Sequence, residues 1–274
     1  MKKQKKMAVI NDFSGFGRCS LAVSIPIISA MKIQCCAMPT AVFSNHTGYE
    51  NYFFDDYTDK MRPYYAMWEK LGLEFDGIYT GFLGSVRQVE IVADFLRKFK
   101  RKHTCVVVDP VMGDNGKPYA TFDRSLCYHI RQLLPLADVI TPNLTEACML
   151  SDMPYHGERF SYQEIFSMAR KLFQTNGCRV IITGIKDGNN IACFICHNDR
   201  EYSVVKMLDT GTARAGTGDV FASIIAADCV NGVPLEESVR KAADFVRRAV
   251  LISDQMNVPI QDGVCFEEIL GDLL

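Results

Sequence analysis

The sequence predicts an α/β protein, a three-layer α/β/α sandwich with a mostly parallel central sheet. Three observations predict it. Short apolar runs of strand length alternate with longer amphipathic segments, the order of a parallel sheet covered by helices. Polar clusters follow several of those runs, where open α/β sheets bind ligands. A glycine-rich turn, Gly216-Thr217-Gly218-Asp219, leads straight into the apolar, helix-length run 220–227.

The elements follow in order. Residues 6–11 read as the first strand. Residues 21–31 read as a helix, complicated by Pro26 near its middle. Residues 33–44 are apolar and interrupted at Pro39, consistent with two strand pieces. A helix over 56–71 stops at Gly72, followed by a short strand, 77–80, and a helix, 86–98. Residues 105–109 form a buried strand, and 138–141 another, with a helix after it over 144–151. Residues 161–174 are helical and 178–183 a strand. The runs 190–196 and 201–206 pair as a hairpin through Asn198-Asp199. Two helices flank Asn231-Gly232, the second opening at Pro234 with Glu236 and Glu237 in its first turn. Neither repeats nor linkers interrupt the chain, so the expectation is one domain over 1–274 with a flexible stretch at 1–5.

Bulk composition narrows the class. The 274 residues are 48% hydrophobic and 23% charged, which suits a soluble globular protein and excludes wholesale disorder. A net charge of −2 points to neither nucleic acid nor an anionic membrane surface as partner. The apolar stretch 7–10, after lysines 2, 3, 5 and 6, is too short for a signal-peptide core or a membrane span. Eleven cysteines, odd in number and irregular in spacing, do not read as a disulfide framework. The expected compartment is therefore the reducing cytoplasm. Cys193-Phe194-Ile195-Cys196 has the C-x-x-C form but lies in a strand-like run, with no second pair at zinc-ligand spacing.

The candidate chemistry starts at Asp219. Glycines at 216 and 218 let a backbone approach a ligand closely, and a helix N-terminus attracts phosphate. An acid placed there would take a proton from a hydroxyl attacking a phosphoryl group, while the loop N–H groups hold the developing charge. The same residues also read as a glycine turn with Asp219 as a helix cap. Asp109, Asn143 and Glu146 follow strands and are hard oxygen ligands suited to Mg²⁺, although each also has a local turn or cap reading. Thr141 and Thr183 end two further strands. Residues 208–214 carry small and polar side chains and would close over a bound nucleotide, with Arg214 either approaching its phosphates or standing as a solvated surface arginine. Gly15-Phe16-Gly17 gives only the first half of a dinucleotide fingerprint, because Ser20 stands where the third glycine belongs. The segment Phe43-Ser44-Asn45-His46-Thr47-Gly48-Tyr49 is denser in aromatic and hydrogen-bonding groups than a plain loop requires, and suits a flat heteroaromatic ligand.

Taken together, these segments resemble the pyridoxal/pyridoxamine kinases of the ribokinase-like superfamily. The segment from Phe43 to Tyr49 looks like that family's substrate loop, and Gly81-Phe82-Leu83-Gly84-Ser85 resembles its next loop. Asp109-Pro110-Val111-Met112-Gly113-Asp114 and Thr141-Pro142-Asn143-Leu144-Thr145-Glu146 look like its metal and nucleotide motifs, and Gly216-Thr217-Gly218-Asp219 is similar to its anion hole and catalytic acid. The resemblance implies ATP-dependent phosphorylation of the 5′-hydroxymethyl group of a B6 vitamer, with Asp219 as base. It implies Asn11, Phe43, Ser44, His46, Thr47 and Gly48 at the substrate. It implies Asp109, Thr141, Asn143, Glu146, Thr183, Arg214, Thr217 and Gly218 at ATP, with Asp109 and Glu146 near Mg²⁺. A monovalent cation such as K⁺ and a homodimer are further implications. The chain departs from that family at Asn11-Asp12, where pyridoxal kinases usually carry a serine. This segment leans toward the hydroxymethylpyrimidine kinases of thiamine synthesis, the alternative reading. A non-catalytic binding protein and a Rossmann oxidoreductase complete the expectations.

Overall fold

The computed structural model describes residues 3–119, 124–157 and 160–274. The chain opens with β1 (Lys6–Phe16), α1 (Ser20–Ala30), β2 (Gln34–Asn45), β3 (Phe54–Asp56) and α2 (Thr58–Lys70). It continues through β4 (Gly77–Thr80), α3 (Val86–Phe99), β5 (Cys105–Val108), and the small pair β6 (Gly113–Asp114) and β7 (Lys117–Pro118). Next come α4 (Arg124–Ile130), a 3-10 turn (Arg131–Leu136), β8 (Val139–Ile140), α5 (Leu144–Ser151) and α6 (Tyr162–Asn176). Then follow β9 (Arg179–Asp187), β10 (Asn190–Cys196), β11 (Tyr202–Leu208), α7 (Thr217–Asn231) and α8 (Leu235–Gln255), with 3-10 turns at Ile260–Asp262 and Phe266–Leu273.

One nine-stranded sheet runs in the order β11-β10-β9-β8-β5-β4-β1-β2-β3. Its centre, from β9 to β2, is parallel, and the pairs at either edge are antiparallel. Period-2 alternation divides the strand side chains between two cores. Met7 and Val9 of β1 and Val107 of β5 pack with α1, α7 and α8. Ala8, Ile10, Val106 and Val108 pack with α2 to α6. Both faces of the sheet are buried, which is why the central strands read as continuous apolar runs. Among the described residues, no helix is long and apolar enough to cross a membrane.

Three expectations need correction. The first strand does not stop at Asn11; it runs to Phe16, so Gly15 and Phe16 lie inside a strand rather than in a turn that opens a helix. The stretch around Pro39 is one strand, not two. Pro39 lies opposite Asn11, where the β1–β2 register shifts, so its missing N–H falls at an interruption of the ladder. Cys193 and Cys196 pack into opposite cores, because residues three apart on a strand face opposite ways, and they cannot act together.

The carboxyl ends of β4, β5 and β8 meet the N-terminus of α7 along one edge of the sheet, joined by Thr183, which lies in the middle of β9 and not at a strand end.

Candidate active site

At that edge lies a cleft of about 330 Å³. Its first wall is the start of α7. Gly216 is the N-cap, with φ 78°, and no side chain caps the helix. A Cβ at Gly216 would fall 1.8 Å from the Arg18 carbonyl oxygen, so both backbone conformation and space demand glycine. Gly218 is different: a Cβ there meets nothing within 4 Å. The first-turn N–H groups have no side-chain cap, the condition under which a helix start can accept an anion.

Asp219 is held from two sides. Its carboxylate accepts the Ser20 backbone N–H and, at Oδ1, a hydrogen bond of 3.1 Å from Asn11 Nδ2. Asn11 has only one possible orientation. Its Oδ1 accepts from the backbone N–H groups of Phe82 at 2.8 Å and Asp12 at 3.0 Å, which turns the amide nitrogen toward Asp219. Gly81 makes room for this, since a Cβ there would sit 2.4 Å from Asn11 Nδ2. Ser20 takes φ 54°, a strained value for a residue with a side chain, at the point where it meets Asp219. Burial, reinforced by the Asp12 charge, outweighs these hydrogen bonds and pushes the Asp219 carboxyl up to about 6.

Asp12 is a feature that sequence reasoning did not assign. It is 5% exposed and lines the cleft. It accepts from Ser20 Oγ at 2.6 Å and Ser14 Oγ at 3.1 Å, and burial raises its pKa. Phe82 and Tyr119 also line the cleft unassigned. The available signal was an acid immediately after an apolar strand run, followed by two serines.

The opposite wall carries Asp109 and Glu146. Asp109 accepts from Thr141 Oγ1 at 2.8 Å; burial, and then repulsion from Asp219, push it up to about 8. Glu146 is raised well above the usual carboxylate range, again mainly by burial and next by Asp109. Both of its oxygens already accept backbone N–H groups, from Met112 at 3.0 Å and Asn143 at 2.8 Å. Asn143 caps α5 reciprocally and donates to the Gly113 carbonyl at 2.8 Å. The cap reading of this pair therefore holds, and both residues line the cleft as well. Thr183 joins them there. Five acids, Asp12, Asp109, Asp114, Glu146 and Asp219, thus line one space. Its one lining arginine, Arg214, is engaged elsewhere.

Arg214 lines the cleft with its guanidinium already paired. It is 8% exposed and donates to Asp254 Oδ1 from Nε at 3.1 Å and from Nη2 at 2.7 Å. Its Nη1 donates to the carbonyls of Val258 at 3.0 Å and Pro259 at 3.2 Å. It ties the anion loop to the end of α8 from behind, and that commitment opposes the expected swing toward ATP.

The segment around His46 is likewise tied to the C-terminal region. His46 Nε2 lies 2.6 Å from the Gln261 carbonyl oxygen, and its Nδ1 accepts from the Gly48 N–H at 3.1 Å. Those partners fix the neutral tautomer with the proton on Nε2. Tyr49 donates to Asp262 Oδ1 at 2.7 Å. Phe43, His46 and Thr47 line the cleft, and Phe43 packs on Phe54 with ring centroids 4.9 Å apart. Ser44 and Gly48 do not line it. Ser44 Oγ donates to Asn45 and accepts the Phe53 N–H, so it closes the loop instead.

This arrangement has counterparts. A family model described as phosphomethylpyrimidine kinase matches residues 28–263. A Bacteroides thetaiotaomicron protein, provisionally described as a phosphomethylpyrimidine kinase and solved with pyridoxal, is 38% identical. It superposes with a TM-score of 0.94, covering 99% of this chain and 96% of that one. Pyridoxal kinase from Lactobacillus plantarum is 28% identical, with a TM-score of 0.92 over 99% of this chain and 97% of that one. A hydroxymethylpyrimidine/phosphomethylpyrimidine kinase of Haemophilus influenzae is 31% identical over 65% of this chain and 65% of its own length.

Proposed function

The chain belongs to the phosphomethylpyrimidine kinase family, with the pyridoxal kinases of the ribokinase-like superfamily, and from that premise we propose that it phosphorylates the 5′-hydroxymethyl group of a B6 vitamer with ATP. It is a phosphotransferase acting on an alcohol group. The observation that carries the proposal is Asp219, an acid oriented by Asn11 and Ser20 at the uncapped start of a helix. Its carboxylate takes the proton of the vitamer hydroxyl as that oxygen attacks the γ-phosphorus. The bond to ADP breaks, and the first-turn N–H groups of α7, with Gly216, Thr217 and Gly218, hold the charge on the transferring group. Asp109, Thr141, Asn143, Glu146 and Thr183 form the nucleotide side in this reading, and Arg214 supports it from behind.

Mg²⁺ fits the donor set on the nucleotide side. The acids there are raised by burial and mutual repulsion, as expected of a space that wants a cation. Glu146 is saturated by backbone N–H groups, so it would act on the ion through water, and Asp109 is the better placed of the two. Bound there, the ion would neutralise charge on the ATP phosphates. K⁺, a homodimer and a cytoplasmic location rest on resemblance and composition, as does a single kinase domain over 1–274.

Asp12 supports B6 over pyrimidine. Its buried carboxylate accepts from two serines and, among the described residues, forms no ion pair. A pyridine ring is more basic than a pyrimidine and brings an N–H⁺ to such a group more readily. The 38%-identical protein solved with pyridoxal supports the same choice. The Haemophilus relative favours hydroxymethylpyrimidine as the second reading. The test is the product formed from Mg-ATP and pyridoxal, identified by mass and ³¹P NMR. A 5′-phosphomonoester is expected; release of inorganic phosphate alone, or no reaction, would remove the proposal.

A further inference from the structure

A second cavity, of about 340 Å³, opens at the other end of the sheet, among the starts of β5 and β9 and the junction of α7 with α8. Two cysteines share its wall. Cys105 is the first residue of β5, and Cys229 lies in the last turn of α7. Both are partly exposed, unlike most of the other cysteines, and both pack at the edge of the same core. Their side chains adjoin in that wall, near enough for each to influence the other's ionisation. Arg179 faces both sulfurs from the start of β9; Asp138 also faces both, and Asp228 faces Cys229. The neighbouring Cys105 thiol, then the Arg179 charge, draw Cys229 below the usual thiol range against burial and those two acids. Cys105 moves the other way, so of the two thiols Cys229 is the more acidic.

We propose that Cys105 and Cys229 are a reversible oxidation site that takes a small hydroperoxide through this cavity and closes to a disulfide. The Cys229 thiolate attacks the terminal oxygen of the peroxide, and the O–O bond breaks. The sulfur becomes a sulfenic acid, and the other oxygen leaves and is protonated to water or an alcohol. The Cys105 thiol then attacks the sulfenic sulfur; an S–S bond forms, the S–O bond breaks, and water leaves carrying the thiol proton. The two sulfurs lose the two electrons that the peroxide gains, and excess thiol reverses the step. The bond would tie β5 to α7, the elements whose other ends carry Asp109 and Asp219. It does not depend on which alcohol is phosphorylated.

The test uses the full folded chain, treated with hydrogen peroxide, blocked with an alkylating agent, digested and mapped by mass spectrometry. The expected result is loss of two of the eleven thiols and a Cys105–Cys229 linked peptide that dithiothreitol removes. Cys105→Ser should leave a dimedone-reactive sulfenic acid at Cys229, and Cys229→Ser should leave Cys105 reduced. A map in which Cys35, Cys36 or any buried cysteine oxidises first, or in which the linked peptide forms only after unfolding, would overturn the proposal. The wild-type map decides the matter even where a variant folds poorly.

Discussion

Replacing Asp219 with asparagine separates two consequences of the same carboxylate. The amide is nearly isosteric, and its oxygen can still accept from Asn11, so ATP binding should persist. Turnover should fall by ~10² or more, the scale of losing a general base. Stability should move the other way. The carboxyl is raised from 3.8 to about 6, so keeping it charged in the fold costs at most about 3 kcal/mol. Asp219 faces an open cleft, and solvent screening reduces this to roughly 1–2 kcal/mol. The sign follows from linkage. A carboxyl whose pKa is higher in the folded state binds its proton more tightly there, so the wild-type protein loses stability as pH rises from about 4 to about 6. The variant lacks that loss. It should melt a few degrees higher than wild type at about pH 8 and show no such advantage at about pH 4. ADP release and thermal melts at the two pH values measure both effects. Near-normal turnover in the variant would refute the role given to Asp219, whatever the melts show.

Further outcomes follow from the same geometry. The wild-type kcat/KM should fall as pH drops through about 6, because the base must be unprotonated; a profile flat across that region would contradict this. Asn11→Ala removes a hydrogen bond to the charged carboxyl and should move that limb to higher pH. Gly216→Ala must shift the Arg18 carbonyl and hold φ 78°, so it should lower the melting temperature markedly, whereas Gly218→Ala meets nothing within 4 Å and should leave the fold intact while weakening ATP. Arg214→Ala leaves Asp254 without its cation and should cost roughly 1–3 kcal/mol, less than a fully buried pair because Asp254 is partly exposed. Its KM for ATP should stay near wild type in the folded fraction; a raised KM with an unchanged melt would instead place Arg214 on the phosphates.

The parallel sheet was legible because both of its faces are buried, so strands such as 105–108 stand out as apolar runs between amphipathic helices. The length of β1 was not legible. Residues 11–16 are polar and glycine-containing, and what keeps them extended is pairing with β2 after a register shift, which no local pattern encodes. The same shift absorbs Pro39. Gly216, Asp219, Asp109 and Glu146, which line the cleft, were legible as candidates because each follows a readable element boundary. Asp12 could not be assigned, since its meaning depends on Ser14 and Ser20 folding around it. Arg214 looked like a phosphate ligand because an arginine before an anion loop invites that reading, and its engagement by Asp254, 40 residues away, is a tertiary fact.

The central claim is that this cleft transfers phosphate to a B6 vitamer. Its most direct test is kcat/KM for ADP release from Mg-ATP with pyridoxal, pyridoxamine, pyridoxine and hydroxymethylpyrimidine offered separately. A clear preference for one of the first three is the predicted result. Preference for the pyrimidine would contradict the substrate while keeping Asp219 and its loop in place, and turnover of none would contradict the kinase reading itself.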